Sequence, residues 1–160
     1  MRLLWISAGL AFLLDQFTKN FVFYTMNLVT EEVIDVLPPY LVLRKGMNTG
    51  VNFGLFADSA AGQRWILIAL SIVLCLMLWY WARRNYNAGI EYISAGLVIG
   101  GALGNAFDRL IYPGVLDFLN MSCCGIDNPY VFNLADVFIF AGAMGLVFFG
   151  GEGRRGENAS

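Results

Sequence analysis

The seventeen residues from Trp65 to Trp81, WILIALSIVLCLMLWYW, carry no charge. A helix that crosses the hydrocarbon core of a bilayer needs roughly 20 predominantly apolar residues. The ends of this run hold Trp65, Trp79, Tyr80 and Trp81, and aromatic rings of that kind suit the headgroup level. Three further apolar stretches, at about 3–24, 90–111 and 132–150, read the same way. The expected fold is therefore a membrane all-α protein with a small β element, built on a four-transmembrane-helix bundle. Composition agrees: 58% of the 160 residues are hydrophobic and 14% charged, against about 25% charged in a soluble domain. The length suits one unit, 1–151, followed by a polar cytoplasmic tail, 152–160. Arg2 and the apolar run to Leu14 have the outline of a signal peptide. No small-x-small cleavage site follows, and the run continues through Asp15 and Lys19, so the first helix is expected to be retained.

Lys and Arg set the orientation. With the N-terminus inside, Arg2, Arg83-Arg84 and Arg154-Arg155 fall in short cytoplasmic segments. Arg44, Lys45 and Arg64 fall outside, among Glu31, Glu32, Asp35, Asp58 and Asp127. The positive-inside rule then places both termini in the cytoplasm. Two segments lie outside. The longer, about 25–63, contains helix-breaking Pro38-Pro39 and two strand-like runs, Tyr40 to Arg44 and Met47 to Phe56, which predict an outer-surface β-cradle. The shorter, Tyr112 to Tyr130, contains Pro113-Gly114 and the apolar Val115 to Met121.

Several chemistries are excluded at once. Histidine is absent, which removes Ser-His and Cys-His triads and His-based zinc sites. Cys75 lies mid-helix, and Cys123-Cys124 are adjacent, a spacing that disfavours a bridge between them. No metal and no cofactor is expected. The net charge of −2, with basic residues in short clusters, argues against nucleic acid as a partner.

Ionisable groups at membrane depth cost about 2.5–3.5 kcal/mol on insertion scales and mark functional sites by default. Asp15, Thr18 and Lys19 share one helix face, where Asp15 and Lys19 can neutralise each other. The glycines at 96, 100 and 104 form a stripe that permits close helix approach, and Asn105, Asp108 and Arg109 follow on one face, with Asp108 and Arg109 read as a structural ion pair. Asp117 stands in the apolar context Val115-Leu116-Asp117-Phe118, which raises a carboxyl pKa by desolvation. The bland alternative is a solvated loop acid. Asp136 opens the fourth helix in Phe132-Asn133-Leu134-Ala135-Asp136, where Asn133 and Asp136 can also act as a helix cap. Together, however, the two acids reach the same membrane face. Two nearby carboxylates do not both ionise readily, so one holds a proton and the pair can act as base and acid on water.

Five segments in order, DQFTK (15–19), NTGVNFGLF (48–56), GGALGNAFDR (100–109), GVLDF (114–118) and FNLAD (132–136), make the chain resemble the lipoprotein signal peptidase (signal peptidase II) family of bacterial membrane aspartic proteases. The resemblance implies Asp117 and Asp136 as the catalytic pair. It implies Asp15, Lys19, Asn48, Gly50, Asn105, Asp108, Arg109, Asn133 and Ala135 as substrate-binding or supporting residues. One departure is local: Gly114 stands three residues before Asp117, where the family has four, and Pro113 occupies the usual Gly position. The implied activity is cleavage of a diacylglyceryl-modified prolipoprotein just before its lipidated cysteine. The implied partners are lipidated prolipoprotein substrates and membrane lipid, with the enzyme a monomer in the bacterial inner membrane and its active site near the outer face. A small membrane transporter or channel subunit, using Asp15, Lys19, Asp108 and Asp136 as an ion relay, is the alternative. A non-enzymatic assembly factor using the glycine stripe is a second.

Overall fold

The computed structural model of the chain describes residues 1–50, 60–125 and 128–150. Four long helices dominate it: α1 (Arg2–Asn20), α3 (Ala60–Asn85), α4 (Gly89–Ile111) and α5 (Leu134–Phe149). A short helix, α2 (Leu28–Glu31), precedes an antiparallel three-stranded sheet of β1 (Val33–Leu37), β2 (Leu41–Asn48) and β3 (Val115–Asn120), in the order β1-β2-β3. The expected strand pair is thereby redrawn. One strand, β2, runs through Gly46, with a register shift against β3 between Leu43 and Gly46; β1 precedes it, and Asp117 lies on a strand rather than in a loop. The portion of the Met47–Phe56 run beyond Gly50, and the polar tail, lie outside the described residues.

Among the described residues, two helices are long and apolar enough to cross a membrane by length and composition. They are Gly62–Asn85, with mean hydropathy 2.2, and Gly89–Ile111, with 1.3. The α5 helix, though apolar, has only 16 residues. The α1 helix ends in Asp15, Gln16, Lys19 and Asn20, which lower its average. A π-turn, Phe21–Thr25, closed by Met26 N–H donating to the Phe21 carbonyl at 2.9 Å, extends α1 to the boundary expected from sequence.

The α4 helix is the hub and is 61% buried over its apolar window, against 17% for α3. Its glycines explain how α1 and α5 come so close. A Cβ at Gly100 would strike the Ala8 carbonyl of α1, and one at Gly101 would lie 2.5 Å from the Ala135 carbonyl of α5. Small residues let helix backbones approach in this way where lipid supplies no hydrophobic drive between helices. Leu4, Ala8, Cys75, Ala82, Ala95, Ile99 and Ala102 fill the helical core. A second apolar cluster, Val22, Phe23, Leu28, Leu43, Leu116 and Phe118, fastens the sheet onto the end of α1. Between the two lies a buried polar layer.

Cys123 and Cys124 correct a second expectation. They form a vicinal disulfide in the turn after β3. Adjacent Cα atoms 3.8 Å apart are closer than most bridged pairs, and positive φ at Cys124 (61°) and Gly125 (79°) shapes the turn that brings the sulfurs together.

Gly100→Ala should destabilise the protein by about 1–3 kcal/mol, the cost of overpacking. Gly9→Ala, whose added methyl meets nothing within 4 Å, should be neutral or mildly stabilising. Thermal unfolding of both variants in detergent measures the contrast.

Candidate active site

The polar layer starts in the last two turns of α1. Asp15 and Lys19, one helical turn apart, form the expected pair at 2.7 Å, with Lys19 1% exposed rather than snorkelling to the surface. Lys19 also holds Asp108 of α4 at 2.8 Å. Asp108 thus pairs with Lys19, not with Arg109 beside it. Further donors to the two carboxylates come from α5, β3 and α1 itself. Ala135 N–H donates to Asp15 at 2.9 Å and Leu116 N–H to Asp108 at 3.1 Å. The Gln16 amide donates to Asp15 at 3.1 Å and to Asp108 at 2.9 Å. Ala135 lies in the first turn of α5, where a helix leaves N–H groups without internal partners. Asp15 supplies one of those partners from another helix. Gly104 makes room for it, because a Cβ there would lie 2.7 Å from the Asp15 carboxylate.

From Lys19 the network passes to two asparagines. Lys19 Nζ donates to Asn105 Oδ1 at 3.2 Å, as does Asn133 Nδ2 at 3.2 Å. Asn105 Nδ2 donates to Asp136 Oδ1 at 2.8 Å. An ammonium on one side and a carboxylate on the other fix which way the Asn105 amide faces. Asn133, fully buried, donates from Nδ2 to Asp117 Oδ1 at 2.6 Å. It also caps α5 in a reciprocal box: Asp136 N–H donates to Asn133 Oδ1 at 3.0 Å, and Asn133 N–H to Asp136 Oδ2 at 3.2 Å. The cap and the acid pair are thus one structure, with Asn133 bonded to both acids.

The backbone explains why these acids meet. Phe132 pairs with Leu119 through N–H donors in both directions, at 3.0 and 2.8 Å, so the entry to α5 lies along β3. On the other side of β3, Gly46 of β2 is the register partner of Asp117 and Asn48 that of Val115. The Asn48 side chain lies near enough to Asp117 to favour its charged form, and its Oδ1 accepts Gly50 N–H at 3.1 Å. Gly50 has φ +117°, and a Cβ there would lie 2.8 Å from Leu67. Both facts call for glycine.

Burial pushes the Asp117 carboxyl up to about 6 from 3.8; the Asn133 hydrogen bond opposes the shift, and the Asp136 charge adds to it. Arg109 supplies the nearby cation. It donates to the Asn105 carbonyl at 3.2 Å and interacts electrostatically with Asp108, Asp117 and Asp136. Its buried Nε has no hydrogen-bond partner among the described residues.

Asp15, Lys19, Asn48, Gly50, Asn105, Asp108, Arg109, Asn133, Ala135, Asp117 and Asp136 therefore fall within one connected region. Gln16 was missed. It is the neighbour of Asp15 rather than an i+3 or i+4 partner, and its signal is the density of polar residues at 15, 16, 19 and 20 in an apolar helix.

A family model described as signal peptidase (SPase) II matches residues 7–150. The chain belongs to the signal peptidase II family. A lipoprotein signal peptidase of Rhodopseudomonas palustris is 38% identical over 149 residues, covering 91% of this chain and 90% of that protein. Another, of Aeromonas hydrophila, is 40% identical over 154 residues, covering 94% and 88%. Among solved structures, a bacterial membrane enzyme determined by the in meso method at 1.9 Å resolution superposes with a TM-score of 0.75 at 26% identity, covering 89% of this chain and 88% of that one. Membership in this family and likeness to a membrane enzyme make this a bacterial membrane protein.

Two stability predictions follow from the charges. Raising the Asp117 carboxyl from 3.8 to about 6 costs about 3 kcal/mol once it ionises. Because folding raises the Asp117 pKa, this penalty is absent below pH 3.8, grows as pH rises through about 6, and is complete above. Asp117→Asn should therefore stabilise the fold by up to about 3 kcal/mol at pH 7.5, with the gain shrinking near pH 4. Lys19→Met leaves two buried carboxylates without their cation and should cost about 3–5 kcal/mol. Unfolding in detergent at the two pH values tests both.

Proposed function

We propose that the chain is a membrane aspartic endopeptidase that removes the signal peptide from diacylglyceryl-modified prolipoproteins, cutting before the lipidated cysteine. Family membership supports the substrate class and the peptidase activity. The observation that carries the aspartic mechanism is Asn133, whose side-chain amide donates to the Asp117 carboxyl while its backbone N–H donates to the Asp136 carboxyl. The transporter alternative has no support in the family.

In this reading Asp136 is the general base. It accepts from Asn105 Nδ2 and Asn133 N–H and sits in the first turn of α5, where the helix favours negative charge. Asp117, buried and raised to about 6, is the general acid. Asp136 takes a proton from water as the oxygen attacks the scissile carbonyl, and Asp117 donates its proton to the carbonyl oxygen. Collapse of the tetrahedral intermediate breaks the C–N bond: a hydroxyl of the intermediate returns its proton to Asp117 as the carbonyl re-forms, and the proton on Asp136 passes to the leaving amine. Arg109 and Asn48 border the pair and orient substrate backbone. The Lys19 cluster keeps Asn105, and through it Asp136, in place.

Four helices span the bacterial inner membrane in this account, within a single domain of residues 1–151 acting as a monomer. Both termini are cytoplasmic, and the acid pair lies near the outer face beneath the sheet. The exposed side of α3, with 17% of its apolar window buried, faces lipid.

Asp117→Asn and Asp136→Asn, each folded and inserted, should lose about a hundred- to ten-thousand-fold in cleavage of a lipidated precursor, the range for acid–base groups. Substantial turnover in either variant would contradict the pair. The pH profile adds a second check. The mechanism needs Asp117 protonated, so kcat/KM should fall as pH rises past about 6, the upper step of a jointly titrating pair. Asn133→Ser keeps an oxygen to cap α5 but removes the amide that favours the Asp117 carboxylate. Its alkaline limb should move to higher pH.

A further inference from the structure

Leu116 and Asp117 are successive residues of β3, so their side chains point to opposite faces of the sheet. Asp117 faces Asn133 and the site it shares with Asp136. Leu116 faces a separate cavity of about 670 Å³ between the sheet and the end of α1, within the size range of small-molecule sites. No step of the peptidase mechanism uses it.

The cavity is two-sided in character. Phe23, Met47 and Leu116 give it an apolar floor, and Arg44 and Lys45 stand at its wall with Glu32. Lys45 is held by the Val29 carbonyl at 3.0 Å and lies 4.0 Å from Glu32. The Arg44 guanidinium has no ion pair or hydrogen-bond partner among the described residues. Two cations against one carboxylate leave the wall positive. The Tyr24 and Tyr112 hydroxyls, 2.8 Å apart, also line it. One donates to the other, so one O–H is left to donate to a ligand.

Below the cavity, Leu10, Leu14, Phe17 and Phe21 follow one another at helical spacing along α1, each 44–65% exposed, and lead up to Tyr24 at 57%. An apolar stripe that rises to an aromatic residue and then to a cationic recess matches a lipid with two apolar chains and an anionic head. We propose that this cavity binds the phosphate head of one anionic glycerophospholipid, received by Arg44, Lys45 and the tyrosine hydroxyls, with the acyl chains lying along the α1 stripe. A diacylglyceryl thioether carries no phosphate and gives these cations nothing to pair with. The site is therefore distinct from the one that holds substrate lipid, and binding to it is measured without any peptidase assay.

Native mass spectrometry of the full chain, released from detergent with limiting dioleoyl phosphatidylglycerol or dioleoyl phosphatidylcholine, reads the site directly. The wild type should retain one phosphatidylglycerol in preference to phosphatidylcholine. Each basic residue near a membrane surface contributes about fivefold to binding an anionic lipid, so Arg44→Gln with Lys45→Gln should weaken retention about thirtyfold. Glu32→Gln removes the competing carboxylate and should strengthen it a few-fold. Neither change touches the acid pair, and precursor cleavage in zwitterionic bicelles should be unchanged. Equal retention of the two lipids, indifference to the Arg44 and Lys45 changes, or weaker retention in Glu32→Gln would overturn the proposal. So would 10 mM inorganic phosphate displacing the lipid, which would make the cavity a free-anion site.

Discussion

Lys19 carries one positive charge into the most buried part of the molecule, and the arrangement of four elements depends on it. Asp15 and Asp108 lie within 2.8 Å of its ammonium. The cluster retains one net negative charge, offset by N–H donors from Leu116, Ala135 and Gln16. Those donors come from β3, α5 and α1. Displacing any one of these elements would strand a charged oxygen in an apolar interior, where a broken pair costs several kcal/mol. Intact ion clusters of this kind seldom exceed well-packed apolar side chains in net stability. Their value here is register: the cluster specifies where α1, α4, α5 and β3 meet.

The acid pair inherits that register. Asn105 faces Lys19 with its oxygen and Asp136 with its nitrogen, so the cation orients the amide and the amide orients the acid. Asn133 faces the Asp136 backbone N–H with its oxygen and the Asp117 carboxyl with its nitrogen. An ion cluster that makes no chemistry of its own is thereby linked, through two neutral amides, to two carboxyls in unlike surroundings. Asp136 has two N–H donors. Asp117 is buried on a strand and raised to about 6. That difference in environment is the basis on which the proposed mechanism takes Asp117 as acid and Asp136 as base.

Much of this was legible in the sequence, and the gaps have physical causes. The long helices follow from apolar runs and their aromatic ends. The Asp15–Lys19 pair follows from i,i+4 spacing, and the Asn133 cap from its position before an apolar run. Strand β3 was not legible because Val115 through Phe118 are buried on both faces, which erases the alternation that marks a half-exposed strand. Asp108 was assigned its sequence neighbour Arg109, whereas its partner Lys19 lies 89 residues away and is set by helix packing. The ordered family motifs named residues that the structure brings into one network. Their wiring, including Gln16 and the two backbone donors at Ala135 and Leu116, depends on tertiary contacts that no local pattern encodes.

Infrared difference spectroscopy of the carboxyl stretch across a pH titration tests the central assignment most directly. The wild type should show a protonated-carboxyl band that appears as pH falls through about 6. That band should be missing in Asp117→Asn and present in Asp136→Asn, with a lower midpoint once the neighbouring charge is removed. A band that vanished in Asp136→Asn but persisted in Asp117→Asn would reverse the roles of acid and base and contradict the account.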